Sequence, residues 1–295
     1  MAQLVEPHPG GVQVPVPARL RASPAERGRA VWPASIRLAF SWRLLWLTIA
    51  LIAATLLINI PRIGDSFLRD NFDVYLELML TPATLIAPLV AAVIGCLPLF
   101  RELGNRFASS TRTRLPLRSY LQSRLVAALI GPFVAFFAFA FALFAIAFFV
   151  WPLLGNPSIH PDLYSMTAAQ ADADSLTRTT YSQLLALSPW GYGLLYAAWA
   201  GFGAATYSAL GFAALLALPN RAVALAVPMI LYIVETLAAS LLDAPRFGLI
   251  FSLFPFGLAQ APIWQAAAPT LLLAGLTAGT LLWLVRAAGN SARLS

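Results

Sequence analysis

Apolar residues gather along this chain into six long blocks, 42–60, 81–100, 125–153, 190–218, 222–242 and 267–285. Within a block the apolar positions do not alternate with polar ones, which excludes the two-residue period of a membrane barrel. A hydrocarbon core about 30 Å thick takes roughly 20 helical residues to cross. Backbone groups in lipid must also be satisfied within their own segment. Each block therefore predicts a transmembrane helix. The stretch 245–262 is apolar too, but Pro245, Gly248, Pro255, Gly257 and Pro262 interrupt it. It is too short and too broken to span, and predicts a re-entrant or interface-lying hairpin on the outer side. Two further outward segments, 62–80 with Asp65, Asp70, Asp73 and Glu77, and 156–188 with Asp162, Asp172 and Asp174, read as solvated exterior loops.

Composition sharpens this picture. With 60% hydrophobic and 11% charged residues over 295 positions, the chain has too little charge to coat a soluble globule of its size. The fold class expected is an all-α polytopic membrane protein. There is no lysine, so all 19 basic residues are arginine. Fifteen fall on one side of the six blocks: Arg19, Arg21, Arg27, Arg29, Arg37, Arg43, Arg101, Arg106, Arg112, Arg114, Arg118, Arg124, Arg221, Arg286 and Arg293. Only Arg62, Arg69, Arg178 and Arg246 fall on the other. Positively charged loops stay in the cytoplasm, so both termini are expected there, in the cytoplasmic (inner) membrane of a bacterium. The net charge of +7 is then a topology signal with some attraction to anionic lipid, and nucleic acid is not an expected partner.

Residues 1–34, rich in Pro, Arg and Ala, read as a disordered cytoplasmic tail rather than a cleaved leader, and 35–295 as the six-helix membrane domain. In 35–43, Ile36, Leu38, Phe40 and Trp42 alternate with Arg37 and Arg43, the pattern of an interfacial lead-in. The single cysteine, Cys96, permits no intramolecular disulfide and reads as a small buried residue. His8 and His160 make no helix-borne metal pair, and no serine has a His and acid partner. The sequence thus offers no metal site and no catalytic constellation.

Three patterns inside the spans bear on packing and function. Gly193, Ala197, Gly201, Ala205, Ala209, Ala213 and Ala217 recur every fourth residue, a small-residue stripe that lets another helix approach closely. Phe133, Phe137, Phe141, Phe144 and Phe148 share one face of the third span, for lipid or for internal packing, with a ligand as the alternative. Glu235 is the acid lying well inside an apolar run. An ionisable group at that depth faces a bundle interior, an aqueous cavity or a partner helix.

The basic insert between the second and third spans carries a resemblance. Glu102-Leu103-Gly104, then Leu115-Pro116-Leu117-Arg118-x-Tyr120-x-x-x-Arg124, are similar to the acidic-x-Gly and Pro-x-Arg-x-Tyr pattern of the type-2 permease subunits of ATP-binding-cassette (ABC) transporters. Leu187-Ser188-Pro189-Trp190-x-Tyr192, the Pro219-Asn220-Arg221 turn and Val227-Pro228 follow in that family's order. The resemblance covers most of the chain from Ser35 onward. It implies an exporter working by alternating access, with a short cytoplasmic coupling helix in 101–118 that docks on a separate ATPase. Coupling would then fall to Glu102, Gly104, Arg106, Pro116, Arg118 and Tyr120, unless the arginines serve topology alone. It also places the fifth span near the dimer axis, making Tyr232, Glu235 and Thr236 candidates for the substrate path; the alternative for Glu235 is an acid in the outer half of the helix that stays protonated or hydrogen-bonds a neighbouring helix. A Walker A loop needs lysine, so ATP and magnesium are expected in a partner ABC ATPase subunit and no cofactor in this chain. The remaining partners implied are a second permease subunit, identical or not, and the lipid bilayer. A polytopic enzyme acting on lipid and a non-transporting membrane scaffold are the alternative functions.

Overall fold

A computed structural model describes residues 42–104 and 117–287. Six of its helices are long and apolar enough to cross a membrane. They are α1 (Trp42–Gly64), α3 (Pro82–Gly104), α4 (Leu117–Ala145), α6 (Pro189–Ala217), α7 (Arg221–Leu241) and α9 (Ile263–Ala287). Three shorter ones, α2 (Asn71–Met79), α5 (Ala168–Arg178) and α8 (Leu249–Leu253), lie between them. The chain is an all-α, multi-pass membrane protein. The expected tail over 1–34 and the expected coupling helix in the middle of the insert lie outside the described residues.

Helix α4 begins eight residues before the hydropathy block, because Arg118, Tyr120 and Arg124 lower hydropathy without breaking a helix. Beyond Ala145 it runs on through a π-helical turn, Ile146–Val150, and a last α-turn, Trp151–Leu153. Asn71 donates from Nδ2 to the Ala147 carbonyl at 3.1 Å, answering an acceptor inside that turn. Helix α6 is the axis of the bundle: 72% of its membrane-depth window is buried, against 17–39% for the other five. The small-residue stripe produces this. Gly193, Ala197, Gly201, Ala209 and Ala213 are all buried, and a Cβ at Gly193 or Gly201 would run into Phe144 or Phe133 of α4. The phenylalanine face of α4 therefore meets α6 at Phe144, which is buried, and along one side of Phe133, which is otherwise exposed, while Phe137, Phe141 and Phe148 are half-buried. Its rings follow one another from Phe133 to Phe137 at 6.2 Å and on to Phe141 at 6.0 Å. Lower down, Ser208 of α6 donates to the Ala128 carbonyl of α4 at 2.7 Å, beside Gly95 and Cys96 of α3. After α6, Asn220 caps α7 by accepting from the amides of Ala222 (3.0 Å) and Val223 (3.3 Å), so the two helices turn back on each other within three residues.

At the opposite end of the bundle the two segments expected to be solvated loops form a folded cap. Helix α2 buries Phe72, Val74, Tyr75, Leu76, Leu78 and Met79. The Tyr75 ring sits edge-on to Phe144, Tyr192, Tyr196 and Phe256, all within 6.2 Å. Three of the acids that suggest solvation, Asp70, Asp73 and Asp174, are paired instead, while Asp65, Asp162 and Asp172 are exposed. Asp70 caps α2 by accepting from the Asp73 amide at 2.8 Å, and Arg178 at the end of α5 reaches Asp70 (2.9 Å), Asp73 (2.5 Å) and Asp174 (2.8 Å). Arg69 bridges Asp73 and Asp174. Burial holds the Asp70 carboxyl above the usual carboxylate range despite the opposing pull of Arg178. One isolated bridge, Leu68 to Ile159, with Leu68 N to Ser158 O at 2.8 Å and His160 N to Leu68 O at 2.7 Å, joins the two segments.

Candidate functional site

Two polar constellations stand out against the apolar bundle. The first clasps the ends of α3 and α4 on either side of residues 105–116. Glu102, in the last turn of α3, accepts from the Tyr120 hydroxyl at one carboxylate oxygen and from Arg124 Nη2 at the other. The Arg124 guanidinium also lies 5.6 Å from the centroid of the Tyr120 ring, close enough for a cation–π contact. Glu102 and Arg124 are each 18% exposed, so the pair is shielded but not sealed. Sequence reasoning nominated Glu102 and Tyr120, and the fold brings them together. Arg124 enters the sequence reading through topology and the loop pattern and not as a coupling residue, although spacing 120 to 124 places both side chains on one helix face. Arg106 and Pro116 lie outside the described residues, and for Gly104 and Arg118 the helical backbone alone is described.

The second constellation organises the predicted re-entrant stretch. This is a string of three short turns, Pro245–Phe247, α8 and Pro255–Gly257. A helix of five residues cannot satisfy its own terminal amides and carbonyls, and in an apolar setting each orphan is costly. The bundle supplies partners at both ends. At the N-terminal end, Glu235 of α7 accepts from the Leu249 amide at 2.7 Å and the Thr236 hydroxyl accepts from the Ile250 amide at 3.2 Å. At the C-terminal end, the Ser252 carbonyl accepts from Trp199 Nε1 (2.9 Å) and the Tyr181 hydroxyl (3.4 Å), and the Leu253 carbonyl from the Tyr196 hydroxyl (2.7 Å). Ser252 Oγ pairs with Thr270 Oγ1 of α9 at 2.7 Å. Further along, Gln260 donates to the Leu176 carbonyl at 2.7 Å and Thr180 Oγ1 accepts from the Ala261 amide at 3.0 Å.

Of the three expected path residues, Glu235 and Thr236 therefore cap α8. Tyr232 is buried, donating to the Thr84 carbonyl of α3 at 3.4 Å and meeting Tyr207 of α6 edge-on at 5.7 Å. The Tyr207 hydroxyl, buried with no hydrogen-bond partner among the described residues, was missed by sequence reasoning because it sits within the small-residue run. Tyr181, Tyr196 and Trp199 were missed for a different reason: their carbonyl partners are more than fifty residues away in sequence.

Fold and sites together define a class: a six-helix membrane bundle with a clasp at one end and, between its fifth and sixth long helices, a string of short turns held by side chains. No protein-family model, curated protein or solved structure matches the chain.

Proposed function

We propose that this chain is the membrane-spanning permease subunit of an ABC exporter, moving its substrate outward by alternating access while a separate subunit hydrolyses ATP. The observation that supports this best is the Glu102, Tyr120 and Arg124 clasp. It ties the two long helices into one unit at the base of the insert whose sequence resembles a coupling loop. A push on that insert would reach α3 and α4 together, and α4 packs along most of the central helix α6. The homodimer or heterodimer partner, the inner-membrane location with cytoplasmic termini and the docking role of Arg106 and Arg118 belong to the same reading.

The test is co-purification with a soluble ABC ATPase, followed by charge reversal at Arg106 and Arg118. Cytoplasmic charges fix docking register even where their net contribution to affinity is modest. Reversal is expected to weaken ATPase association or uncouple hydrolysis from transport. Normal insertion with full transport-coupled hydrolysis in the doubly reversed protein would leave those arginines a purely topological role.

A further inference from the structure

A cleft of about 560 Å³ lies between α1, α3 and α4 at the clasp end of the bundle. It is amphipathic along its length. At its mouth stand Arg43, Arg101 and Arg124. Arg124 is spoken for by Glu102, whereas Arg43 and Arg101 are exposed and have no ion pair among the described residues. Below them the walls are apolar, Leu47 from α1 and Leu97 from α3 among them, and the floor is cut from the small residues Gly95, Ala127 and Gly131. From Arg124 to Gly131 the cleft descends about 10 Å along the helix axis, a third of a hydrocarbon core of about 30 Å. Trp42, lining the mouth, and Trp46 are both exposed at this level, where interfacial tryptophans sit.

We infer that this cleft is a binding site for an anionic phospholipid, its phosphate between Arg43 and Arg101 and the upper part of an acyl chain along the Leu47 and Leu97 walls. Basic pockets between membrane helices recognise such headgroups. The charge of the neighbouring chain argues against the protein's own segments as occupants. Residues 1–41 hold five arginines against Glu6 and Glu26, and residues 105–116 hold three arginines and no acid. Both would be repelled by the mouth. The inference does not rest on the transporter reading and stands or falls separately from it.

Native mass spectrometry of the full-length protein, after washing in detergent with defined lipid added back, tests it. The wild type is expected to retain dioleoyl phosphatidylglycerol well above dioleoyl phosphatidylcholine. Arg43→Gln with Arg101→Gln should lower phosphatidylglycerol retention by about tenfold or more and leave phosphatidylcholine retention unchanged. Gly131→Leu probes the apolar half without touching charge: a Cβ there meets only Ile94, at 3.8 Å, so the side chain can grow into the cleft and should displace both lipids from a folded protein. A photo-crosslinker at Leu47 should yield a phospholipid adduct. Equal retention of the two lipids by the wild type, unchanged phosphatidylglycerol retention in the charge variant or in Gly131→Leu, or a Leu47 crosslink to residues 1–41 or to a second copy would overturn the inference.

Discussion

Single side chains in this protein work mainly by answering polar groups that the membrane leaves stranded. Glu102 is the clearest case, because one carboxylate serves two donors on the next span. Tyr120→Phe removes one neutral donor and should cost about 1 kcal/mol. Glu102→Gln leaves Arg124 without its counter-charge in a shielded site and should cost more, about 1–3 kcal/mol, with a double-mutant cycle showing the two effects to be coupled. Glu235 poses a different question. Glu235→Gln keeps an acceptor for the Leu249 amide, so stability and expression should hold, whereas Glu235→Ala strands that amide and should loosen 245–257 to hydrogen exchange. Altered transport in Glu235→Gln despite normal stability would mark a charge-dependent role in the substrate path; transport unchanged across pH would leave Glu235 as a cap. In the cap, Arg178→Gln takes from the buried Asp70 its ion-pair partner among the described residues, leaves Asp73 to Arg69 alone, and should destabilise by about 3–5 kcal/mol. Asp70 sets a pH dependence of definite sign. Its value in the fold is raised above the ordinary 3.8, so its stabilising contribution is complete below that value and is lost as pH rises through the raised one. Asp70→Asn should remove that falling limb, seen as the difference between wild type and variant in protease resistance of the cap as pH rises above 3.8.

At the scale of helices, what the sequence makes legible is whatever a period can carry. The six spans, the every-fourth-residue stripe of α6 and the phenylalanine face of α4 are all visible as spacing, and the structure joins the last two into one interface. Gly193→Val forces a methyl into the Phe144 ring and should destabilise by about 1–3 kcal/mol, and Phe144→Ala should restore part of the loss in the same protein. Gly64, where an added Cβ would meet nothing within 4 Å, is the control. Helix α2 was not legible. Asp65, Asp70, Asp73 and Glu77 give its segment the charge of a solvated loop, and Arg178, the partner of Asp70 and Asp73, lies over a hundred residues on. Local charge density cannot reveal whether charges meet water or one another. The re-entrant stretch lies between these cases: its proline and glycine breaks are plain, while the groups that hold it come from four separate parts of the chain.

For the whole molecule, the arginine count gives an orientation that a reporter can check. Fusions after Ser110 or Arg293 should be active as cytoplasmic reporters and fusions near Asp172 as exterior ones; an exterior signal at Ser110 would reverse the orientation and remove the basis for a docking loop. The tethering of α8 has a mechanical side. Its leading end is fastened to α7 through Glu235 and Thr236, and its trailing end to α6 through Tyr196 and Trp199. A bar pinned at both ends resists shear between the beams it joins, so α6 and α7 cannot slide past each other along their lengths without first pulling out one set of pins. Drawn from the C-terminus by an atomic force microscope, α9 should therefore give way before α8, and α8 should leave together with α7 in a single rupture; cutting the Glu235 and Thr236 pins with a double alanine substitution should split that rupture in two.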